Sequence, residues 1–184
     1  IKKKYNFESI KRRILYFNKH SNTKIYSLLL HDQNEAIVKK NIKLVKKLKA
    51  DGLVSKIGVS VYDLVVWKKI LKIWIPDIIQ IPVNPFNREF IFNKFLNKLK
   101  RKKIIIFARS IFLQGILTNE KNILDTKNKK EFERWFEFCK LKSVDPVKVC
   151  LDFCKSIKEI DYLVIGVQNV KEFKQIVKFF KQPI

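Results

Sequence analysis

Methionine is absent from this chain, glycine occurs 4 times, cysteine 3 times and histidine twice, and 17 acidic residues face 40 basic ones across 184 positions. Three cysteines are an odd number. They form no disulfide framework and fit a reducing compartment. No apolar run approaches the length of a membrane span, and no signal-peptide pattern opens the chain, so a cytoplasmic protein with no membrane partner is expected. A chain that begins at Ile1 and holds no methionine is expected to be a piece of a longer protein or a product with an unusual start. No linker, low-complexity tract or second domain interrupts the sequence, which reads as one domain over 1–184.

The shortage of acid leaves a net charge of +23, which invites a nucleic-acid reading. Almost all the basic residues are lysines, however, and they are scattered over every helix. Lys, Ile, Asn and Phe are over-used, while Gly, Ala and Arg are scarce. That is compositional drift of the whole chain rather than a built patch, so no nucleic-acid partner is expected. A hydrophobic content of 47% with 12% aromatics is enough for a folded core.

Five short apolar segments each run into an amphipathic helix. Ile25–Leu30, Lys56–Ser60, Ile78–Ile81, Ile104–Ala108 and Leu163–Ile165 read as strands, the last extending over about 162–166. Their near-continuous hydrophobicity suits strands buried on both faces. Helices are expected at 7–20, 35–50, after Asp63, around Phe92–Leu99, after Asp145-Pro146 and along Phe173–Phe180. In the second of these, Ile37, Val38, Ile42, Leu44, Val45 and Leu48 share one side and the lysines the other. Asp51-Gly52 stops it, with glycine placed for a left-handed turn. Phe92, Phe95, Leu96 and Leu99 are spaced as one helix face. Asp63 and Asp145 are placed as caps, and Pro146 sits at a first helical position. Cys150 and Cys154, four apart in an apolar stripe, read as core, and no metal site is expected.

Strand–helix alternation at this spacing means parallel βαβ units. Periodicity alone leaves a doubly wound sheet and a (β/α)8 barrel both open. The strand ends carry polar or small residues: His31-Asp32, Ser60, Gln80, Arg109-Ser110 and Gly166-Val167-Gln168-Asn169. A polar rim drawn from nearly every strand favours the barrel, whose sites collect residues from many strand ends. A barrel needs about 250 residues, so an incomplete one with five βα units is expected.

Taken in order, these strand ends resemble the aldo/keto reductase family, carbonyl reductases dependent on NADH or NADPH and built on that barrel. Tyr26–Asp32 is similar to the family's fourth strand with its active-site histidine. Asp51–Ser60 is similar to the fifth, Asp77–Asn84 to the sixth, Ala108–Gly115 to the seventh, and Val164–Asn169 to the eighth. The resemblance runs from about Phe7 to Phe180. It implies that the first three strands, with the catalytic tyrosine, lysine and aspartate, belong before Ile1; Lys2-Lys3-Lys4-Tyr5 resembles a remnant just past the third.

The resemblance implies a role for each rim residue. His31 would orient the substrate carbonyl or assist proton transfer. Ser60 and Gln80 would bind the nicotinamide carboxamide, with Val61 standing where the family commonly has asparagine. Arg109 would stack on the nicotinamide, where many members carry an aromatic, or form a salt bridge across the rim. Ser110 and the backbone of Phe112, Leu113, Gln114 and Gly115 would hold phosphate. Gly166, Gln168, Asn169 and Glu172 would lie near the adenosine end. Glu172 replaces a characteristic arginine and would repel a 2′-phosphate, although Lys171 and Lys174 adjoin it. The implied cofactor is NAD or NADP, and the implied partners are a small carbonyl substrate and either the missing N-terminal barrel half or a second copy. His20 reads as a solvated turn residue. A non-catalytic remnant and a basic nucleic-acid-binding protein are the rival readings.

Overall fold

A computed structural model describes residues 6–92, 94–123 and 128–184; Lys2–Tyr5 lie outside the described residues. The elements in order are α1 (Phe7–Ser21), β1 (Ser27–Leu30), α2 (Lys39–Ala50), β2 (Lys56–Ser60), α3 (Leu64–Ile73), β3 (Ile78–Pro82), α4 (Phe95–Arg101), β4 (Ile105–Arg109), α5 (Lys129–Leu141), α6 (Pro146–Lys155), β5 (Tyr162–Leu163) and α7 (Val170–Lys181). The five strands form a parallel sheet, the α/β class that the strand–helix alternation predicts. Two compact units divide the chain. One runs to Gln80 and includes Arg101–Ile105; the other comprises Ile81–Lys100 and Ile106–Ile184.

In the first unit β1 pairs with β2 (Leu28 opposite Ile57, Leu30 opposite Val59), and β2 pairs with β3 (Gly58 opposite Ile78, Ser60 opposite Gln80). Ile42, Val45 and Leu48 of α2 and Trp67 and Ile70 of α3 are buried along with Ile57, Val59, Ile78 and Ile79. Asp63 caps α3, accepting the Val65 and Val66 amides as expected. Gly52 takes φ +70° just past α2, also as expected.

The single helix expected over 35–50 is two pieces. A 3-10 turn spans Gln33–Ile37, and Val38, at φ −84° and ψ 113°, separates it from α2. The reason is tertiary. The Ala36 carbonyl accepts the Trp74 indole N–H at 2.9 Å, and the Glu35 carbonyl accepts the Val38 amide at 3.3 Å. At Val38 the extended backbone interrupts the i to i+4 ladder, and the Ala36 carbonyl meets the distant Trp74 indole there. Periodicity cannot register that diversion.

Asp77 fixes the start of β3. Its carboxylate accepts Lys49 Nζ at 2.7 Å and the Ile57 amide at 2.9 Å, and its own amide donates to the Ile57 carbonyl at 2.9 Å. Asp161 does the same ahead of β5 in the second unit, accepting Lys100 Nζ at 2.6 Å and the Ile106 amide at 2.8 Å. Replacing Asp77 with alanine leaves the Ile57 amide without its side-chain acceptor. The expected loss is about 2 kcal/mol, mostly from the amide because the lysine is part-exposed. Urea unfolding of D77A measures it, and a midpoint equal to that of the parent chain refutes the clamp.

In the second unit β4 pairs with β5 through Phe107 opposite Tyr162 and Ala108 opposite Leu163. The expected strand over 162–166 shortens to two residues. The Val164 amide also donates to the Ala108 carbonyl at 2.7 Å, and Ser110 then turns away at φ +57°. Gly166 is therefore exposed and outside the strand. Phe92 likewise lies outside α4 and is 59% exposed, because Lys94 takes φ +54° and stops the helix from extending backward.

Helix α5 buries Phe132, Trp135, Phe136 and Cys139, and the Trp135 indole donates to the Leu117 carbonyl at 3.0 Å. Asp145 caps α6 at the Val147 amide, and Pro146 opens that helix as expected. Val147, Leu151 and Ile176 cluster, with Phe112, Leu163, Ile165 and Phe179 packed against them. Of the stripe expected on α7, Ile176 is buried but Phe173 and Phe180 are about half exposed, at 54% and 49%. Cys139, Cys150 and Cys154 are free and buried, and burial pushes the Cys154 thiol up to about 12. No helix among the described residues is long and apolar enough to cross a membrane.

Candidate functional site

Parallel pairing brings the carboxyl ends of neighbouring strands toward one edge, and in the first unit His31 and Ser60 lie at that edge while Gln80 lies two residues before the end of β3. His31 follows Leu30, the last residue of β1, which is opposite Val59; Ser60 is directly opposite Gln80. His31 is exposed, and its imidazole meets the Tyr62 ring edge-on at 6.4 Å between centroids and 84° between planes. Ser60 is 1% exposed, while Gln80 is half-buried with its backbone carbonyl accepting the Val61 amide at 2.8 Å. Val61 is fully buried. Where the family commonly places asparagine, this chain therefore adds to its core. His20 lies within the last turn of α1 rather than in a turn after it. It is exposed, with Nδ1 2.8 Å from the Tyr16 carbonyl.

The second unit holds the remaining residues in two groups. At the end of β4, Arg109 Nη1 donates to the Ser110 hydroxyl at 3.0 Å. The Ser110 carbonyl accepts the Asn84 side-chain amide at 2.9 Å, and the Arg109 carbonyl accepts the Val83 amide at 3.0 Å. Asn84 is fully buried, and its Oδ1 accepts the Phe86 and Asn87 amides at 2.9 and 2.8 Å. It ties the chain after β3 to the chain after β4. Asn84 was not among the expected site residues, although Asn-Pro two residues past an apolar run is a turn signal with this mechanism.

The stretch from Phe112 to Gly115 is bent by backbone in the left-handed region: Leu113 at φ +46°, Gln114 at +56° and Gly115 at +87°. Such runs aim amides toward a common concavity and hold anions in other proteins. Here the Leu113 amide donates to the Ser110 carbonyl and the Gly115 amide to the Phe112 carbonyl, both at 2.9 Å. The Phe112 side chain packs against the cluster of Val147, Leu151 and Ile176. Gln114 is exposed.

The second group lies at the start of α7. Asn169 Oδ1 accepts the Glu172 amide at 2.9 Å, and Glu172 Oε2 accepts the Gln168 amide at 2.7 Å. This is a reciprocal cap, legible in the sequence as Asn-x-x-Glu before an apolar helix. Glu172 thus has a structural task that the resemblance did not imply. Gly166 is exposed and has no atom within 4 Å of where a Cβ would stand, so no close approach calls for glycine there.

Solved structures share this fold. An aldo-keto reductase from Bacillus halodurans superposes with a TM-score of 0.74 at 15% identity, over 97% of this chain and 64% of its own. Glycerol dehydrogenase from Gluconobacter oxydans gives 0.61 at 16% identity, over 97% and 67%. The chain spans about three fifths of the solved reductases from Pseudomonas aeruginosa, 58% and 60% of their lengths. No curated protein matches by sequence. The sequence pattern described as the aldo/keto reductase family matches residues 2–184. Strand ends, parallel order and sequence pattern agree over nearly the whole chain, which belongs to the aldo/keto reductase family.

Proposed function

We propose that this chain supplies strands four to eight of a (β/α)8 barrel oxidoreductase that moves a hydride between a nicotinamide cofactor and a carbonyl or alcohol substrate. The observation that supports it most is that Ser60, the last residue of β2, stands opposite Gln80 within β3, while His31 directly follows the last residue of β1. A carboxamide needs one donor and one acceptor in a plane, and the half-buried Gln80 amide offers that complement beside Ser60. The residues present therefore fit a nicotinamide. Bound, that group supplies the hydride.

His31 has an exposed imidazole that can hydrogen-bond the substrate oxygen and fix its direction. Arg109, oriented by Ser110, presents a planar cation suited to stacking or to a phosphate. Phosphate contacts at the 112–115 loop fall to atoms other than the Leu113 and Gly115 amides, which are committed within the loop. The reading includes a reducing, cytoplasmic setting, consistent with three free buried thiols.

Completion of the barrel needs three more βα units. The face that would receive them is supported by an open apolar groove of about 600 Å³ along α6, β5 and α7, lined by Leu163, Ile165, Ile176 and Phe180 among others. Lys155, Lys158 and Lys181 rim it. With +23 on each chain, a second copy is repelled, and the N-terminal part of such a barrel is the favoured occupant. A non-catalytic remnant is the second reading, favoured by the burial of Val61 and the inward amides of the 112–115 loop.

Cofactor choice tests the adenosine end. The completed enzyme is expected to prefer NADH or to accept both, because the Glu172 carboxylate opposes a 2′-phosphate. Gln retains the capping oxygen without the charge, so Glu172→Gln should raise relative use of NADPH about threefold to tenfold. Titrating both reduced cofactors against the two proteins measures it. A strong NADPH preference that disappears on changing Lys171 or Lys174 places the selectivity in those residues instead.

A further inference from the structure

Gln33 opens the 3-10 turn that follows His31, yet its side chain reaches a loop almost thirty residues away. Its Oε1 accepts the backbone amides of Tyr62 at 2.8 Å and Asp63 at 3.1 Å. Two backbone N–H groups can meet only the oxygen of an amide side chain, so the orientation of Gln33 follows from its partners. Both lone pairs of that oxygen are used. The two loops joined in this way are the ones that carry His31 and Tyr62, whose rings meet edge-on. Each loop is also fixed locally: Asp32 Oδ1 accepts the Asn34 amide at 2.9 Å, and Asp63 caps α3. Gln33 ties one loop to the other through these two bonds.

We infer that Gln33 is a positioning residue for His31, acting through Tyr62: by holding the Tyr62 backbone it places the Tyr62 ring against the imidazole and so sets the direction in which His31 presents its ring nitrogens. An exposed histidine at a strand end otherwise rotates freely between rotamers. The T-shaped contact with a fixed aromatic restricts that rotation. Asparagine is too short to reach the Tyr62 and Asp63 amides from position 33, whereas glutamate has the same reach and the same acceptor. The catalytic consequence rests on the oxidoreductase reading; the clamp itself does not.

The test is nuclear magnetic resonance of the full 184-residue chain, in which His20 is the only other histidine and serves as an internal control of folding. The His31 ring protons are expected to be displaced by the Tyr62 ring current. Tyr62→Leu should abolish the displacement and Tyr62→Phe should keep it. Gln33→Ala should move the His31 signals toward those of a freely rotating imidazole while leaving His20 in place, and Gln33→Glu should restore them. In the barrel completed with an N-terminal segment, Gln33→Ala should lower kcat about tenfold with little change in cofactor KM. His31 signals that are the same in Gln33→Ala as in the parent chain overturn the clamp. If Gln33→Ala also shifts His20, its fold is lost and the other variants decide: His31 signals unchanged in Tyr62→Leu, or not restored in Gln33→Glu, overturn it too. A completed barrel that turns nothing over while the Gln33 shifts appear as described refutes the oxidoreductase reading and leaves the clamp standing.

Discussion

Gly58→Ala is expected to cost about 3 kcal/mol or more, a large share of the roughly 5–15 kcal/mol that holds a typical domain together. A Cβ at position 58 would stand 2.5 Å from the Ile78 carbonyl oxygen and 2.8 Å from the Ile78 Cβ. Neither atom is the end of a flexible side chain, and Gly58 and Ile78 are register partners. Relief therefore requires β2 and β3 to part, which strains the ladder that sets Ser60 opposite Gln80. Gly52 is the matched control. It has φ +70° and nothing within 4 Å of a Cβ, so Gly52→Ala meets only backbone strain of about 1 kcal/mol. Guanidinium unfolding followed by circular dichroism compares the two. A Gly58→Ala chain as stable as the parent would mean that the β2–β3 pairing is wrong, and with it the shared edge of Ser60 and Gln80.

The 184-residue chain by itself is expected to reduce no carbonyl compound with either cofactor. The family's general acid is a tyrosine that the resemblance assigns to a strand outside these residues, and the exposed imidazole of His31 replaces it poorly. Joining a segment that supplies three further βα units should restore turnover. In that protein His31→Ala should lower kcat by about a hundredfold, the lower end of what a positioned proton donor or acceptor contributes. His31→Asn keeps a hydrogen-bond donor toward the carbonyl and should lose less. Steady-state reduction followed at the nicotinamide absorbance measures all three. Robust turnover by the purified 184-residue chain as a monomer would overturn the assignment of roles.

Local chemistry in this chain was largely legible. Asp63 and Asp145 cap the helices they precede, Gly52 takes the left-handed turn, and Lys56–Ser60 is a strand with the bounds its composition predicts. Those features depend on a few adjacent residues and on backbone sterics. The misplaced boundaries depend on distant ones. The helix expected from residue 35 is interrupted at Val38, where the Ala36 carbonyl meets the Trp74 indole, and the last strand stops short where its neighbour turns away at Ser110.

For the site, order along the chain was enough to put Ser60 and Arg109 at strand ends and His31 just past one, whereas Gln80 lies inside β3 and Gly166 beyond β5. Hydropathy and spacing carry that information. They do not carry which hydrogen bond a polar side chain makes. The resemblance gives Glu172 a part in cofactor choice, and the fold adds that it joins Gln168 and Asn169 in a cap; the bonds of Asn84 and Gln33 go to partners 26 to 30 residues away. The sequence by itself determined most of the elements and their parallel sense, which follow from periodicity and caps, and the order of its strand-end motifs carried the resemblance to the family. Only the tertiary structure decided what each polar group is bonded to, because such bonds are short-range and directional, and distance in space is not a function of distance along the chain.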